Sequence, residues 1–560
     1  MSEEPRIGVF ICHCGINIGG VVRVPEVVEY AKTLPNVVYA TDHLYMCSAG
    51  GLQTIKDAIR KHQLNRVVVA SCTPRTHEPL FREACEEAGL NKYLFEMANI
   101  REHCSWVHMH EPDRATEKAK EIVRMAVAKA RLLEPLEDVV VEVKPSALVI
   151  GAGPAGMTAA LSLANQGFHV YLVERDAEVG GMLRRLNKLY PTNRPASELL
   201  EKLSKSVMEH KNITLYTSTT VEEVSGFIGN FQVTAKRNGE ELKLEVGTII
   251  VATGASVYEP VGLYGYGVYD GVVTQLQLEE MLRDGRIGKP NSVVMIQCVG
   301  ARTPERPYCS RICCATAIKN AVAIKEDVNP AAKVYVLYRD LQAYGREYEE
   351  LFRRAQELGV TFINYLEDRP PEVQANPAGG LMVKVYHATL GREFTLPADL
   401  VVLSTPLIQH EDAKELSQIL KVPLGPDGFF LEAHVKLRPV DFSTDGIYVC
   451  GTAHGPKNVA ESIAQAHAAA ARASIPMASG KVRVEGIVAV VDRGKCVGCG
   501  LCVELCRFGA HVMEGGKSKV IEALCKGCGV CAASCPQRAI TMKHFTDQQI
   551  LAAVEAAFRG

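Results

Sequence analysis

The chain has 560 residues, 47% of them hydrophobic and 22% charged, which suits several cored domains and excludes a disordered or fibrous protein. The formal net charge of −2 provides no basic field for nucleic acid. No apolar run approaches the roughly 18 residues that a membrane span needs, and the polar start does not resemble a signal peptide. With nineteen cysteines, these features predict a cytoplasmic protein whose thiols serve metal or redox chemistry.

Residues 1–135 predict a small parallel α/β domain, because short β-branched strands alternate with helical stretches. The predicted strands are Ile7–Ile11, Val37–Tyr39, Arg66–Ala70 and Tyr93–Phe95, and a long helix, Ala115–Leu133, follows them. Cysteines follow each strand, and the carboxyl ends of parallel strands share one edge of a sheet. Four of five cysteines are therefore predicted to hold a [4Fe-4S] cluster, with the spare one in the Cys12/Cys14 pair. Buried structural thiols are the alternative. The five candidates are Cys12, Cys14, Cys47, Cys72 and Cys104.

A dinucleotide-binding pattern begins at Ala147. The run Leu148-Val-Ile-Gly151-Ala-Gly153-Pro-Ala-Gly156 is a strand and a glycine loop that lead into a predicted helix, Met157–Gln166. The next strand ends in Glu174, about twenty residues further on, where an acid can bind a ribose hydroxyl. An empty nucleotide-binding fold is the alternative.

Three later segments make residues 136–480 resemble the disulfide reductases of the thioredoxin reductase type, which bind two dinucleotides. They are Gly180-Gly181, Thr253-Gly254 and Gly451-Thr452. The resemblance implies that these segments surround FAD, although Gly-Thr replaces the usual Gly-Asp, so that a hydroxyl or the backbone must contact the ribityl chain. The implied FAD contacts are Gly151, Gly153, Pro154, Ala155, Gly156, Glu174, Arg175, Gly181, Met182, Thr253, Gly254, Gly451 and Thr452.

The loop 298–314 lies where such reductases carry a second glycine loop for NADPH. Strands Val293–Gln297 and Lys333–Leu337 flank a helix that starts near Cys314. A nicotinamide pyrophosphate needs bare backbone at such a turn, whereas this loop contains bulky residues and four cysteines. We therefore predict a further [4Fe-4S] cluster there. A redox-active dithiol is the alternative, but the loop lacks its C-x-x-C spacing. The predicted ligands are Cys298, Cys309, Cys313 and Cys314.

Two four-cysteine runs predict a ferredoxin-like α+β domain with two [4Fe-4S] clusters over residues 487–545. In such runs three cysteines wrap one cube and the fourth reaches the other, so Cys506 should serve the second cluster and Cys535 the first. Zinc is the alternative, but it has no use for C-x2-C-x2-C-x3-C written twice. Arg507 replaces the usual proline without removing a ligand. The predicted ligands are Cys496, Cys499, Cys502, Cys506, Cys525, Cys528, Cys531 and Cys535.

The remaining segments and cysteines are given structural roles. Residues 473–486 are predicted to be a linker, and residues 546–560 a closing helix. Cys85 and Cys450 are predicted to be packing residues. The other seventeen of the nineteen cysteines are thus candidate ligands.

Several motifs spread over nearly the whole chain resemble those of the A-type subunit of heterodisulfide reductases. They are Cys12-His-Cys14-Gly, Ala70-Ser-Cys72-Thr-Pro-Arg-Thr-His77-Glu, Asn99-Ile-Arg-Glu-His-Cys104-Ser-Trp106, Gln297-Cys298-Val-Gly, Tyr308-Cys309-Ser-Arg-Ile-Cys313-Cys314 and Gly451-Thr-Ala-His-Gly-Pro-Lys457.

This resemblance implies a cytoplasmic complex in which FAD splits an electron pair between a disulfide site on partner subunits and ferredoxin. The implied partners are the B- and C-type subunits of heterodisulfide reductase, ferredoxin, a donor module (hydrogenase, formate dehydrogenase or NADH-linked) and a second copy of the chain. Longer members contain an inserted ferredoxin module, and none is visible here. A lysine after the Cys-Cys pair approaches the flavin in the family. The matching residue is Lys319, for which a solvated helix lysine is the alternative.

Two other functions compete with electron bifurcation. One is an NAD(P)H-dependent flavoprotein with a fused ferredoxin domain, which the missing second glycine loop disfavours. The other is an electron-wiring subunit whose FAD does not bifurcate. One FAD and about four clusters are expected for each chain, which is about sixteen iron.

Overall fold

The computed structural model describes residues 4–377 and 379–558. The chain divides into two compact units: the first comprises Met1–Val141 and Arg483–Gly560, and the second comprises Glu142–Val482. Strands Val139–Glu142 and Lys481–Val484 occupy the two segments where the chain passes between the units. Within the described residues, every helix is too short or too polar to traverse a bilayer.

The amino-terminal part of the first unit is a four-stranded parallel sheet with helices around it. Its strands lie in the spatial order Val37–His43, Ile7–Cys12, Arg66–Ser71 and Phe95–Asn99. Its helices are Ile16–Gly19, Val24–Lys32, Ala49–His62, Pro74–Glu87 and Pro112–Ala130, with a π-helical turn at Arg101–Ser105. The last strand begins two residues later than the sequence predicts and ends at Asn99. Cys104 lies in the π-helical turn that follows it.

The carboxyl-terminal part of the first unit is small and rich in turns. Strands Ala489–Val491 and Ile540–Met542 pair in antiparallel fashion, and strands His511–Glu514 and Lys517–Val520 form a hairpin. Its helices are Leu501–Leu505, Val530–Ser534 and Asp547–Phe558, with a short 3₁₀ turn at Glu522–Leu524. The two short helices each follow a glycine in the left-handed conformation, Gly500 or Gly529, which only glycine adopts without strain.

Non-local contacts join these two parts of the first unit. The last helix packs on helix Pro112–Ala130, where Arg124 donates to the Ala556 carbonyl at 2.6 Å. Arg82 forms an ion pair with Glu485. The Tyr93 hydroxyl accepts from the Gly486 amide at 2.6 Å and donates to Asp138 at 2.5 Å.

The second unit contains two parallel five-stranded sheets, each with an antiparallel three-stranded excursion. The strands of the first sheet are, in spatial order, Ile213–Tyr216, His169–Val173, Ser146–Ile150, Thr248–Val251 and Ile447–Val449. Those of the second are Val272–Thr274, Leu400–Leu403, Ser292–Ile296, Lys333–Tyr338 and Thr361–Asn364. The excursions are Thr219–Phe227, Asn230–Arg237 and Glu240–Val246, and then Glu372–Ala375, Leu381–His387 and Arg392–Ala398. This repeated α/β layout, with the smaller cysteine-rich part, agrees with the predicted fold class.

The remaining elements of the second unit are helices and short strand pairs. The helices are Pro154–Ala164, Ala196–Glu209, Gln275–Arg283, Cys313–Ala323, Arg346–Glu357, Ala413–Leu420 and Val459–Ser479. Short turns of helix lie at Gly181–Arg185, Ile324–Val328 and Gly451–Ala453. The strand pairs are Lys188–Leu189 with Arg194–Pro195 and Ala255–Val257 with Leu407–Gln409.

The predicted linker at residues 473–486 is wrong over its first half. Residues 473–479 continue helix Val459–Ser479, although Pro476 lies within it. Ala466, Ala469, Ala470 and Ala473 on this helix are completely buried in the core of the first sheet. The free energy gained by packing this alanine-rich face outweighs the free energy lost with the backbone hydrogen bond that Pro476 removes.

Candidate functional site

The glycine loop after strand Ser146–Ile150 has the geometry of a pyrophosphate-binding turn. Gly151 has φ +101°, and a Cβ there would lie 2.4 Å from the Ala252 carbonyl oxygen. A Cβ on Gly156 would lie 1.8 Å from the Gly151 oxygen, so this glycine permits close packing of helix and strand. Gly153 has nothing within 4 Å of such a Cβ, which leaves bare backbone at the start of helix Pro154–Ala164 for an anionic ligand.

A large cavity of about 1000 Å³ lies next to this loop in the second unit. Every FAD contact predicted from the sequence lines it except Gly156 and Gly451, which pack beneath. Gly254 lies beside Thr452, whose Oγ1 would be 3.8 Å from a Cβ on that glycine. Thr253 Oγ1 is buried and has no hydrogen-bond partner among the described residues. An unpaired hydroxyl on the wall and an open glycine turn fit a bound dinucleotide.

Glu174 and Arg175 lie at the other end of the cavity. The Glu174 carboxylate accepts from the backbone amides of Ala152, at 2.7 Å, and Asp176, at 3.0 Å. It therefore fixes the glycine loop against the neighbouring strand and still faces the cavity. Arg175 contacts His410 at 2.6 Å and Asp412 at 3.2 Å.

Lys319 is buried and lines the same cavity, so the alternative of a solvated lysine is wrong. Its Nζ forms an ion pair with Glu279 and donates to the Lys188 carbonyl at 2.9 Å. Burial lowers the pKa of Lys319, while the Glu279 carboxylate opposes that shift. Glu279 also accepts from the Asn187 amide at 2.9 Å. Sequence reasoning missed Glu279, because nothing in its helix distinguishes it from the neighbouring Glu280.

Lys457 is a second cavity residue that the sequence prediction omits as a site residue. Its Nζ donates to the carbonyls of Gly451 and Gly455, both at 2.8 Å, and so closes the turn that carries Thr452. Burial lowers the pKa of Lys457 to about 8. The Gly451-to-Lys457 motif in the sequence was the available signal for this residue.

The structure brings the four cysteines of the 298–314 loop together. Cys298, Cys309, Cys313 and Cys314 lie close enough that a negative charge on one thiol would raise the pKa of its neighbours. Burial raises the pKa of Cys314 to about 11 and that of Cys313 well above its usual value. Cys298 has φ +62°, which turns the chain sharply after the strand, and Cys309 reaches the surface. Ile312 and Thr316, on either side of the Cys-Cys pair, line the large cavity, so this loop forms part of its wall.

The 298–314 loop also folds back on itself. Arg306 stacks over the Tyr258 ring at 4.1 Å, and its Nε donates to the Gly300 carbonyl at 2.6 Å. A Cβ on Gly300 would lie 2.4 Å from the same ring. The strand–loop–helix frame therefore lacks the open glycine backbone that a second dinucleotide would need.

Four of the five amino-terminal cysteines gather at the edge of the parallel sheet. Cys12, Cys14, Cys47 and Cys72 lie close enough that a negative charge on one thiol would raise the pKa of its neighbours, and Arg101 donates to Cys14 Sγ at 3.3 Å. Cys104 is completely buried elsewhere, and its Sγ lies 3.0 Å from the Ala115 carbonyl oxygen. Cys104 therefore lies apart from the other four cysteines, whereas the sequence predicts the spare one in the Cys12/Cys14 pair. The π-helical turn at Arg101–Ser105 directs Cys104 towards helix Pro112–Ala130.

The carboxyl-terminal cysteines form two sets that exchange their fourth members. Cys531 interacts with Cys525, Cys528 and Cys506. One small hollow is lined by Cys496, Cys499, Cys502 and Cys535, and Cys531 of the other set also lines it. Amides of Ala510 and Ala539 donate to Cys506 Sγ and Cys535 Sγ, each at 3.3 Å. This exchange is the arrangement that the spacing predicts for paired cubanes.

Thiolate groups of four are the donor sets that [4Fe-4S] clusters use. Among residues 4–377 and 379–558, no three His, Cys, Asp or Glu side chains converge closely enough to hold one ion. Cys85 and Cys450 belong to none of the four-cysteine groups, and burial raises the pKa of each to about 12.

Two family models match parts of the chain. Residues 145–300 match the model of pyridine nucleotide-disulphide oxidoreductases, and residues 489–542 match that of the 4Fe-4S dicluster domain. Among solved structures, a thioredoxin reductase of Lactococcus lactis is similar to 60% of this chain over 99% of its own, with 18% identity and a TM-score of 0.43.

Curated relatives match over almost their full length. The A-type subunit of the H(2):CoB-CoM heterodisulfide,ferredoxin reductase of Methanothermobacter marburgensis is 43% identical, over 99% of this chain and 98% of its own. The iron-sulfur A-type subunit of the CoB--CoM heterodisulfide reductase of Methanocaldococcus jannaschii is 40% identical, over 100% of this chain and 99% of its own. The first alignment has 647 positions, 87 more than the 560 residues of this chain, so that relative contains segments without a counterpart here. The chain belongs to the family of heterodisulfide reductase A-type subunits and is an iron–sulfur flavoprotein oxidoreductase.

Proposed function

We propose that this chain is the electron-bifurcating core of a heterodisulfide reductase-type complex, which divides an electron pair between a disulfide-reducing partner and ferredoxin. The observation that carries the proposal is that the four-cysteine loop 298–314 forms part of the wall of the predicted FAD cavity. A flavin can take up two electrons together and release them singly, and a cluster accepts one. A shared wall between the two centres is what such a division requires.

The chain's own residues hold and tune these centres. Gly151, Gly153 and Gly156 provide the turn for the pyrophosphate, Glu174 faces the ribose end, and Thr253 with Thr452 provides hydroxyls at the middle of the cavity. The buried Lys319–Glu279 pair lies at the wall, and Lys319 is the partner that can donate to a negatively charged ligand. We assign cluster ligands to the four groups of cysteines described above, which gives four clusters and about sixteen iron.

The proposal extends to assembly and location. The names of the relatives include CoB-CoM heterodisulfide and ferredoxin, which supports B- and C-type partner subunits, ferredoxin and a donor module as partners here. A homodimer and a cytoplasmic location are parts of the same proposal. All nineteen cysteines lie within the described residues and are free, which suits a reducing compartment.

Domain limits are proposed as 1–135 for the amino-terminal cluster domain, 136–480 for the FAD domain, 487–545 for the ferredoxin-like domain and 546–560 for the closing helix. The limits of the second unit, Glu142–Val482, support the FAD domain, whereas the amino-terminal and ferredoxin-like domains belong to one compact unit and are separated here by their different sheets.

The competing NAD(P)H-dependent reductase is tested by mixing the anaerobic chain with NADH or NADPH. The filled 298–314 loop predicts that neither nucleotide bleaches the flavin directly. Bleaching by either one in the isolated chain would favour that function instead.

The bifurcation itself is tested in the assembled complex with its donor. Ferredoxin reduction should require the disulfide acceptor and should stop when that acceptor is left out. Cys309→Ala should remove about four iron and abolish ferredoxin reduction while the flavin remains bound. Cys450→Ala, at a buried cysteine outside the clusters, is the matched control and should change neither. Ferredoxin reduction without the disulfide would show that the chain passes electrons on without bifurcating them.

A further inference from the structure

The ferredoxin-like part of the chain presents an apolar surface directly over one of its two cysteine sets. Val497 and Met513 line the same hollow as Cys496, Cys502 and Cys535, and they are 65% and 42% exposed. Cys499, in the same wall, reaches the surface. A Cβ on Gly498 would meet the Gly516 carbonyl oxygen at 2.1 Å, so the cysteine loop and the hairpin tip form one continuous face.

Basic side chains surround this face. Residues 487–545 contain eight Lys and Arg against four Asp and Glu, whereas the whole chain carries −2, so positive charge is concentrated here. Among these basic residues, Lys495 forms an ion pair with Asp492, and Lys519 forms one with Glu514. The rim consists of Arg493, Lys495, Lys517 and Lys519.

The rim is held in place by the backbone of the same two segments. Arg493 donates to the Glu514 carbonyl at 2.9 Å, and Lys517 donates to the Arg493 carbonyl at 2.5 Å. Lys495 and Lys519 remain 65% and 53% exposed at their side chains. The positive charges thus stand around the apolar centre and leave it open.

We propose that this face is the docking site for a small iron–sulfur electron carrier with an acidic surface around its own cluster. The inference rests on the proposed function and deepens it, since it assigns ferredoxin a place on the chain. Transient redox complexes use small contact areas, and complementary charge steers the encounter and orients the partner. A basic rim selects an acidic carrier, and the apolar centre brings it against the exposed cysteine.

The simpler alternative is that the basic residues only offset the negative charge of a thiolate-bound cluster. Both explanations predict a lower cluster potential when the rim is reversed. Only docking predicts that reversal changes how the rate of electron transfer depends on ionic strength, because screening acts on the encounter of two charged surfaces.

The test uses the dithionite-reduced, cluster-loaded full chain and an acidic 2[4Fe-4S] ferredoxin as the probe. The second-order rate of electron transfer should fall as salt rises. The Lys495→Glu, Lys519→Glu double variant should lower the low-salt rate roughly tenfold or more and flatten its salt dependence. Cytochrome c, a basic probe, should instead react faster with this variant. Iron content and the cluster spectrum, unchanged from wild type, show that the variant is folded.

Two further variants sharpen the test. Lys205→Glu, at an exposed lysine of the second unit, changes the net charge in the same direction and should leave rate and salt dependence unchanged. Val497→Ser should slow transfer equally at low and high salt. A double variant with the wild-type salt dependence would overturn the proposal and assign the charges to the cluster alone. Because chemical reduction bypasses the flavin, loss of bifurcation in the complex with normal docking would contradict only the proposed function.

Discussion

At the scale of single residues, Cys104 differs from the other amino-terminal cysteines in what surrounds its sulfur. It is fully buried beneath helix Pro112–Ala130, while Cys12, Cys14, Cys47 and Cys72 share the sheet edge with Arg101. The sequence narrows the ligands to five cysteines and predicts the spare one in the Cys12/Cys14 pair, because all five follow predicted strands and these two follow the same one. The distinction depends on a π-helical turn, which no spacing rule indicates.

Removal of one cysteine at a time tests this assignment. Cys47→Ala should lower the iron content from about sixteen to about twelve per chain, because a cluster of four iron loses a ligand. Cys104→Ala should keep about sixteen iron and lose only packing. Iron and sulfide analysis of the anaerobically purified variants measures both. The reverse result, with iron lost from Cys104→Ala alone, would move the spare cysteine to the sheet edge.

The titration of Lys457 should make the free energy of unfolding depend on pH, in a direction that can be worked out. Its pKa lies near 8 in the folded chain, because the ammonium is largely removed from water, against 10.5 ordinarily. Between these values the unfolded chain binds more protons at this site, so the free energy of unfolding rises with pH through that window. Below pH 8 Lys457 is protonated in both states, and the folded chain bears the full free-energy cost of burying its ammonium.

The measurement compares urea unfolding of the flavin-free chain at pH 7 and pH 10. The difference in unfolding free energy between wild type and Lys457→Met should shift in favour of wild type at the higher pH. Lys457→Arg, which stays charged throughout, should show no such gain. An equal difference at both values would mean that Lys457 titrates normally.

At the scale of elements, two helices of the second unit are joined by buried polar side chains. Lys319 on helix Cys313–Ala323 pairs with Glu279 on helix Gln275–Arg283. One residue further along, Asn320 donates to Gln275 at 2.8 Å. The sequence indicates both helices, but partners forty positions apart become visible only when the chain is folded.

Breaking this pair should cost more than removing it. Lys319→Met or Glu279→Gln alone leaves a partner buried without compensation and should lower the free energy of unfolding by about 3–5 kcal/mol. The double variant should recover most of that loss. Asp327→Asn, at the exposed pair with Lys188, is the control and should cost less than about 1 kcal/mol. Chemical unfolding of the flavin-free chain, followed by circular dichroism, measures all four, and additive single losses would contradict the pairing.

The glycine loop and the long alanine-rich helix show how far sequence patterns reach at this scale. The roles of Gly151, Gly153 and Gly156 can be predicted from the sequence, because one short turn requires the absence of a side chain at each of these positions. The end of helix Val459–Ser479 cannot be predicted in this way, because Pro476 is typical of a helix break. The helix continues past it because its alanine face is buried.

At the scale of the whole molecule, the first unit combines the two ends of the chain. The sequence predicts its amino-terminal sheet and its ferredoxin-like part as separate domains, since the 341 residues of the second unit lie between them along the chain. Buried contacts join them, such as the Lys129–Glu96 pair with His544. Such long-range pairs leave no periodic pattern, which is why the sequence yields their elements but not their association.

The continuous second unit should fold on its own. Residues 142–482 contain both parallel sheets, the large cavity and the complete 298–314 cysteine loop. This piece, expressed alone, should therefore retain one FAD and about four iron, a quarter of the full set. Flavin extraction, iron analysis and circular dichroism measure this, and Cys309→Ala within the piece should keep the flavin and lose the iron. If the piece binds flavin but no iron while remaining folded, the cysteine loop does not build its cluster from these four thiols alone. If it binds neither, the core of the second unit depends on the first.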